Sequence, residues 1–350
     1  MTDGLQTENL KAVPELWFTR CPVPTATGIA ADLGWLGQEF APDAITVRSL
    51  QDVPRDQTNN AHFEHGLDVL FREGGNVPAL WAKARGADTR LIGLTWIEER
   101  QAILVRDDDP AAGPQDLRGR RLALPRRPIS IDFWRAMALH GFSGALAHGD
   151  LGLDDATLVD VGGEGPGDRS DNLARQWDPE LGALADGVVD AVYVKGAVGV
   201  EAGEAAGARV LVDLDLLADR RLRVNNGTPR PITVHQALLD ERPDLVARFL
   251  AVLLRAADWS ADHPADVARI LSGETGAGSS GVAGAYRNDY HRTLHPDLSE
   301  ERLALLDDQQ AFLALHGFIA GPVDVAAWAD PAPLVAARAL VDTRSVSSTA

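Results

Sequence analysis

Apolar runs of strand length alternate with helix-length stretches through most of the first two thirds of this chain, and few folds accept that rhythm. Leu16–Arg20, Ala44–Leu50, Arg90–Ile97 and Gln101–Asp108 read as strands, and Ala26–Gln38, carrying Leu33 and Trp35, reads as a helix. A second helical run passes through Phe63, Leu67, Leu70 and Phe71 to the breaker Gly74-Gly75, and Val77–Trp81 reads as the start of another strand. This alternation predicts an α/β fold with a mainly parallel sheet.

The pattern stops at the charged, proline-bearing link Asp107–Pro114 and then restarts. LALP, TLVDV, DAVYV and ARVLVDL read as strands, with a helix through Trp134–Leu146 and a GGEGPGD loop between them. The chain returns through RPITVHQALL into a helical last third, where Arg242–Ser260 and Glu301–His316 carry apolar residues at helical spacing and Gly276–Gly284 reads as a flexible loop. The expected organisation is two lobes: a discontinuous first lobe of residues 15–107 plus 228–340, and an inserted second lobe of residues 108–227. Residues 1–14 and 341–350 are expected to be loose tails. A length of 350 residues accommodates both lobes, and a cleft between such lobes is the default place for a ligand.

Charge narrows the partners. With 33 basic against 51 acidic residues the net charge is −18, which excludes a broad nucleic-acid-binding surface and repels anionic membranes. An anion can bind only in a local cationic pocket. The first residues lack the cationic start and apolar core of a secretory signal, and no apolar stretch reaches membrane-spanning length, so a cytoplasmic location and a monomer are expected.

Cys21 is the single cysteine, set where the first strand ends in CPVP, and it cannot form an internal disulfide. A thiol at the carboxyl end of a first strand is well placed to face a cleft. His62 can hold it as a partly ionised thiolate. Arg72, ahead of Gly74-Gly75, can point its fork at an anion that the glycine N–H groups also face. The plainer alternative has His62 capping a helix, Arg72 in a surface pair and the glycines ending a helix. Arg126-Arg127 and Lys195 are secondary anion contacts, and Trp81, Trp96 and Trp134 can wall an aromatic pocket. Dinucleotide, Walker-type and zincin motifs are absent, and His62 with His65 lacks a third ligand in reach, so neither cofactor nor metal is expected.

The elements FTRCPVP, AHFEHGLDVLFREGG, RLIGLTW, AILVRDDDP and DLRGRRLAL, with HGDLGLDD, LADGVVDAVY and GARVLVDL beyond them, resemble the 2'-hydroxybiphenyl-2-sulfinate desulfinase family over nearly the whole chain. The resemblance implies a two-lobed type II periplasmic-binding-protein-like fold, as in sulfonate and nitrate binders, and release of sulfite from an organic sulfinate with no metal or organic cofactor. It makes Cys21 the catalytic thiol, His62 its hydrogen-bond partner, Arg72 the clamp on the sulfinate oxygens, Gly75 a backbone donor to the same group and Trp134 a pocket wall. His65, Leu67 and VKGAVG replace family residues where the organic part packs, so an aromatic sulfinate is expected with its exact identity open. Whether the thiol attacks sulfur or delivers a proton also stays open. The alternative function is a non-catalytic solute-binding protein for a sulfonate-like or other small anion.

Overall fold

The computed structural model describes Leu10 and residues 13–53, 61–163, 175–287 and 289–348. The chain divides into two compact units: Met1–Ile97 with Gly227–Ile270 and His291–Ala350, and Glu98–Asn226 with Leu271–Tyr290. Among the described residues the strands are β1 (Glu15–Phe18), β2 (Thr46–Ser49), β3 (Leu70–Glu73), β4 (Thr89–Thr95), β5 (Gln101–Arg106), β6 (Arg121–Arg126), β7 (Thr157–Gly162), β8 (Val192–Lys195), β9 (Ala208–Asp213) and β10 (Arg230–His235). None of the described helices is long and apolar enough to cross a membrane.

In the first unit the strands lie in the order β2-β1-β3-β10-β4. β1 pairs in parallel with β2 and β3, whereas β10 runs antiparallel to both its neighbours. The sheet is therefore parallel except for one strand, which arrives only after the chain has built most of the second unit. Helix Pro243–Asp262 covers part of the sheet, and Phe249 stacks on Phe71 with ring centroids 3.9 Å apart and planes 9° from parallel. Burying one such ring contributes about 1.5–3 kcal/mol.

Two assignments change here. The run through Phe63 to Phe71 is helical only over residues 61–64; His65 then adopts φ +55, and the chain re-enters the sheet as β3. All four residues of β3 are buried between β1 and β10, so the strand shows no alternation, and its apolar spacing imitates a helix stripe. Arg72 therefore stands on a strand. Gly74-Gly75 precede a helix, Asn76–Ala84, in the stretch expected to begin as strand.

In the second unit β5 pairs antiparallel with β8 and β9, and β6 pairs in parallel with β7. β5, expected in the first lobe, belongs here, so the division falls at Glu98 rather than at the Asp107 link. The unit also takes Leu271–Tyr290 from the last third. That stretch contains helix Ser279–Ala285 rather than a loop. A Cβ at Gly281 would lie 2.6 Å from Glu201, and the glycines let this helix approach helix Gly196–Ala205 closely. Helix Ala332–Ser348 runs into the expected C-terminal tail. The expected N-terminal tail, except Leu10, Val13 and Pro14, and most of the GGEGPGD loop lie outside the described residues.

Candidate active site

Parallel pairing of β1 with β3 decides where the thiol goes. Beyond the last paired residues the Thr19 N–H donates to Phe71 O at 3.1 Å, and the Thr19 hydroxyl donates to Glu73 O at 2.6 Å. The chain then leaves the sheet at Cys21, and the Val23 N–H closes a tight turn onto Cys21 O at 2.8 Å. The half-buried thiol points back at the end of β3, with Sγ donating to Glu73 O at 3.5 Å. Strand pairing thus brings the carbonyl at the end of β3 to the sulfur.

Arg72 is fully buried, and its guanidinium is fixed by backbone. Nε donates to His62 O at 2.7 Å and Nη2 donates to Gly75 O at 3.0 Å. Gly74 lies against the guanidinium, close enough that a Cβ there would stand 3.0 Å from Cζ and both terminal nitrogens. Nη1 is buried and has no acceptor among the described residues. Burial lowers the Arg72 pKa to about 10, with Arg230 adding to that and the Cys21 sulfur opposing it. The group remains a cation at neutral pH, one donor nitrogen short of satisfaction and within electrostatic reach of the thiol. A buried donor in that condition is an anion site in waiting.

The Gly75 carbonyl holds Arg72, a role the sequence did not suggest, and its N–H has no acceptor among the described residues. Helix Asn76–Ala84 starts immediately after it, and free N–H groups at such a start favour negative charge. Asn76 pins the turn, with Nδ2 donating to Pro229 O at 2.9 Å and Oδ1 accepting from Gln309 Nε2 at 2.9 Å.

The His62 ring packs edge-on to Phe63, with centroids 5.1 Å apart. His65 is a structural residue. Its Nε2 lies 3.3 Å from the Thr233 hydroxyl, and its carbonyl lies 2.6 Å from His235 Nε2. Burial first, then the Arg72 charge, hold its imidazole well below the usual histidine range, so it is neutral. Among the described residues no three His, Cys, Asp or Glu side chains gather as a metal site.

Trp134 belongs to the second unit, where it meets Trp177 edge-on at 5.5 Å, and Trp177 in turn meets Tyr193 at 6.2 Å. Lys195 is paired with Glu99, and the buried Arg127 with Glu180. In the first unit Trp81 lies under Arg85, and Trp96 is buried. Two residues escaped the sequence reading. Glu73 stands beside Arg72 and is fully buried, with its pKa raised by burial against the opposing pull of Thr27, Arg230 and Thr95. Arg230 is buried on β10, which no local motif connects to Arg72.

A five-stranded sheet with one late antiparallel strand, in a chain that also builds a second α/β unit from separate segments, defines the periplasmic-binding-protein-like class. The model of the NMT1/THI5 like family matches residues 175–267. The aliphatic sulphonate binding protein SsuA of Escherichia coli shares the fold at 16% identity, with TM-score 0.66 over 89% of this chain and 91% of that one. A crystal structure of a cysteine-to-serine variant of the enzyme DszB with biphenyl-2-sulfinic acid matches at TM-score 0.74 and 28% identity, covering 92% of this chain and 98% of that one. The 2'-hydroxybiphenyl-2-sulfinate desulfinase of Rhodococcus erythropolis is 32% identical, over 90% of this chain and 91% of its own length. The chain belongs to that desulfinase family.

Proposed function

We propose that this protein is a desulfinase that hydrolyses the carbon–sulfur bond of an organic, aromatic sulfinate and releases sulfite, with Cys21 as its catalytic thiol. One observation carries the reading beyond family membership: the buried Arg72 guanidinium, locked by two carbonyls, keeps Nη1 unsatisfied among the described residues in reach of the only thiol. A sulfinate is a compact anion that a planar guanidinium grips well. Arg72 Nη1 and the Gly75 N–H hold its oxygens, and Cys21 meets its sulfur or its ring carbon.

Two balanced routes use these atoms. In one, His62 takes the thiol proton and the thiolate bonds to sulfur as the carbon–sulfur bond breaks. The ring carbon takes the proton, and water then cleaves the thiol–SO2 adduct to bisulfite and free thiol. In the other, Cys21 gives its proton to the ring carbon; SO2 departs, water converts it to bisulfite, and the released proton restores the thiol. Neither route needs metal or organic cofactor. A thiol used this way must stay reduced, which fits a cytoplasmic location.

The test is sulfite release from a panel of aryl sulfinates by the parent and by Cys21→Ser. Release by the parent and its loss in the variant are expected. Release that survives in the variant, or no release from any member, overturns the reading and leaves a binding protein for a sulfonate-like anion. An SO2 adduct on Cys21, sought by mass spectrometry after rapid quenching, separates the two routes.

A further inference from the structure

The first unit buries a second guanidinium beside the Arg72 clamp. Arg230 opens β10 opposite Thr95 of β4 and is 4% exposed. The residues on either side of it are tied to the turn that carries the clamp: Gly74 N–H donates to Pro231 O at 3.3 Å, and Asn76 Nδ2 donates to Pro229 O at 2.9 Å. β10 pairs Thr233 with Arg72 and Ile232 with Glu73, so the same register continued places Arg230 beside Gly75. Gly75 is the residue whose carbonyl fixes Arg72.

Among the described residues Arg230 differs from the other buried arginines in having neither an ion pair nor a hydrogen-bonded acceptor for Nε and Nη1. Arg127 is paired with Glu180, Arg223 with Glu98 and Asp215, and Arg72 is held by two carbonyls. Nε and Nη1 of Arg230 are buried and have no acceptor among the described residues. Glu73 attracts it electrostatically, but that carboxylate accepts from the Thr95 hydroxyl at 3.1 Å and, among the described residues, forms no ion pair with Arg230. Burial also drives Glu73 toward its neutral form, which leaves the guanidinium less compensated still. A buried cation without a partner is expensive, and proteins keep one where a ligand supplies the counter-charge.

The charges around the site can be matched in turn. A sulfinate answers Arg72. Arg230 is left over, and a single sulfinate group does not satisfy both forks.

We propose that Arg230 receives a second acidic group on the substrate, so that this enzyme prefers an aromatic sulfinate bearing a carboxylate or similar anion close to the sulfur. The proposal rests on the reading of Arg72 as the sulfur-oxyanion clamp. Its test uses stable sulfonate analogues, which report binding independently of turnover.

Calorimetric titration compares benzenesulfonate with 2-sulfobenzoate on the parent protein and on Arg230→Met. The parent is expected to bind 2-sulfobenzoate about tenfold or more tighter, the gain of one charge-assisted contact. The variant should lose that preference and keep its benzenesulfonate affinity within about threefold. Equal affinities in the parent overturn the proposal, and they do so even if the variant fails to fold. An equal loss of both ligands in Arg230→Met also overturns it, because the guanidinium then serves the sulfur oxyanion itself. If the parent does not bind benzenesulfonate at all, the Arg72 clamp falls, a result distinct from a missing preference.

Discussion

Arg72 Nε donates to the carbonyl oxygen of His62 at 2.7 Å, so the candidate oxyanion clamp is held by the backbone of the residue proposed as the base. The two roles share one rigid support, and the guanidinium cannot turn without also giving up Gly75 O. Arg72→Lys removes both oriented bonds while keeping the charge. Charged hydrogen bonds contribute about 1.5–3 kcal/mol each, so kcat/KM for sulfite release should fall by about a hundredfold or more. Steady-state kinetics with a saturable aryl sulfinate check this, and a loss below about fivefold would show that charge alone suffices.

Gly74→Ala tests the same support from the other side. The added methyl would stand 3.0 Å from the guanidinium carbon and its terminal nitrogens, which are already fixed by two carbonyls and must shift. The expected outcome is about a tenfold fall in kcat/KM with a melting temperature within about 3 °C of the parent, since no buried apolar contact is lost. Thermal unfolding and kinetics measured together separate this from general damage.

How far the site could be read from sequence differs residue by residue. Cys21 was legible, because an apolar run ending in CPVP marks a strand end. The element that carries Arg72 is not legible: Phe63, Leu67, Leu70 and Phe71 are spaced like a helix stripe, and nothing local announces the positive φ of His65 that breaks it. Arg230 was invisible. It reaches the site through the register of a strand that returns 158 positions after Arg72, and pairings of that range leave no trace in local spacing. The glycines of Gly276–Gly284 signalled flexibility by composition and instead permit two helices to touch.

His65 gives the fold a pH dependence with a definite sign. Its imidazole is neutral in the folded chain, with its pKa well below the ordinary value of 6.5, so below about pH 6.5 the unfolded chain binds the extra proton and stability falls. Glu73, raised by burial, contributes the opposite slope above its unfolded value. The difference between parent and His65→Gln isolates the histidine. Urea unfolding at pH 7.5 and pH 5.5 should show the parent losing stability relative to the variant as the pH drops, and a parallel pair of curves would refute it.

Asn76 joins Pro229 O to Gln309 across the buried edge of the turn. Asn76→Ala removes the acceptor of Gln309 Nε2 and the donor to Pro229 O, and a cost of about 1–3 kcal/mol is expected in chemical denaturation. Gln309→Leu removes one partner only and should cost less. A variant pair in the reverse order would place the strain elsewhere.

β10 lies between β3 and β4, yet it is made long after both. A nascent chain that has left the ribosome only as far as Asn226 therefore carries two finished strands with open inner edges and no strand to bridge them. Such edges invite pairing with a neighbouring chain. Neither Arg230 nor the carbonyls that anchor Gly74 and Asn76 exist at that stage, so the candidate anion site is assembled late in synthesis, and a product cut short before Gly227 is a sticky fragment instead of a weak enzyme.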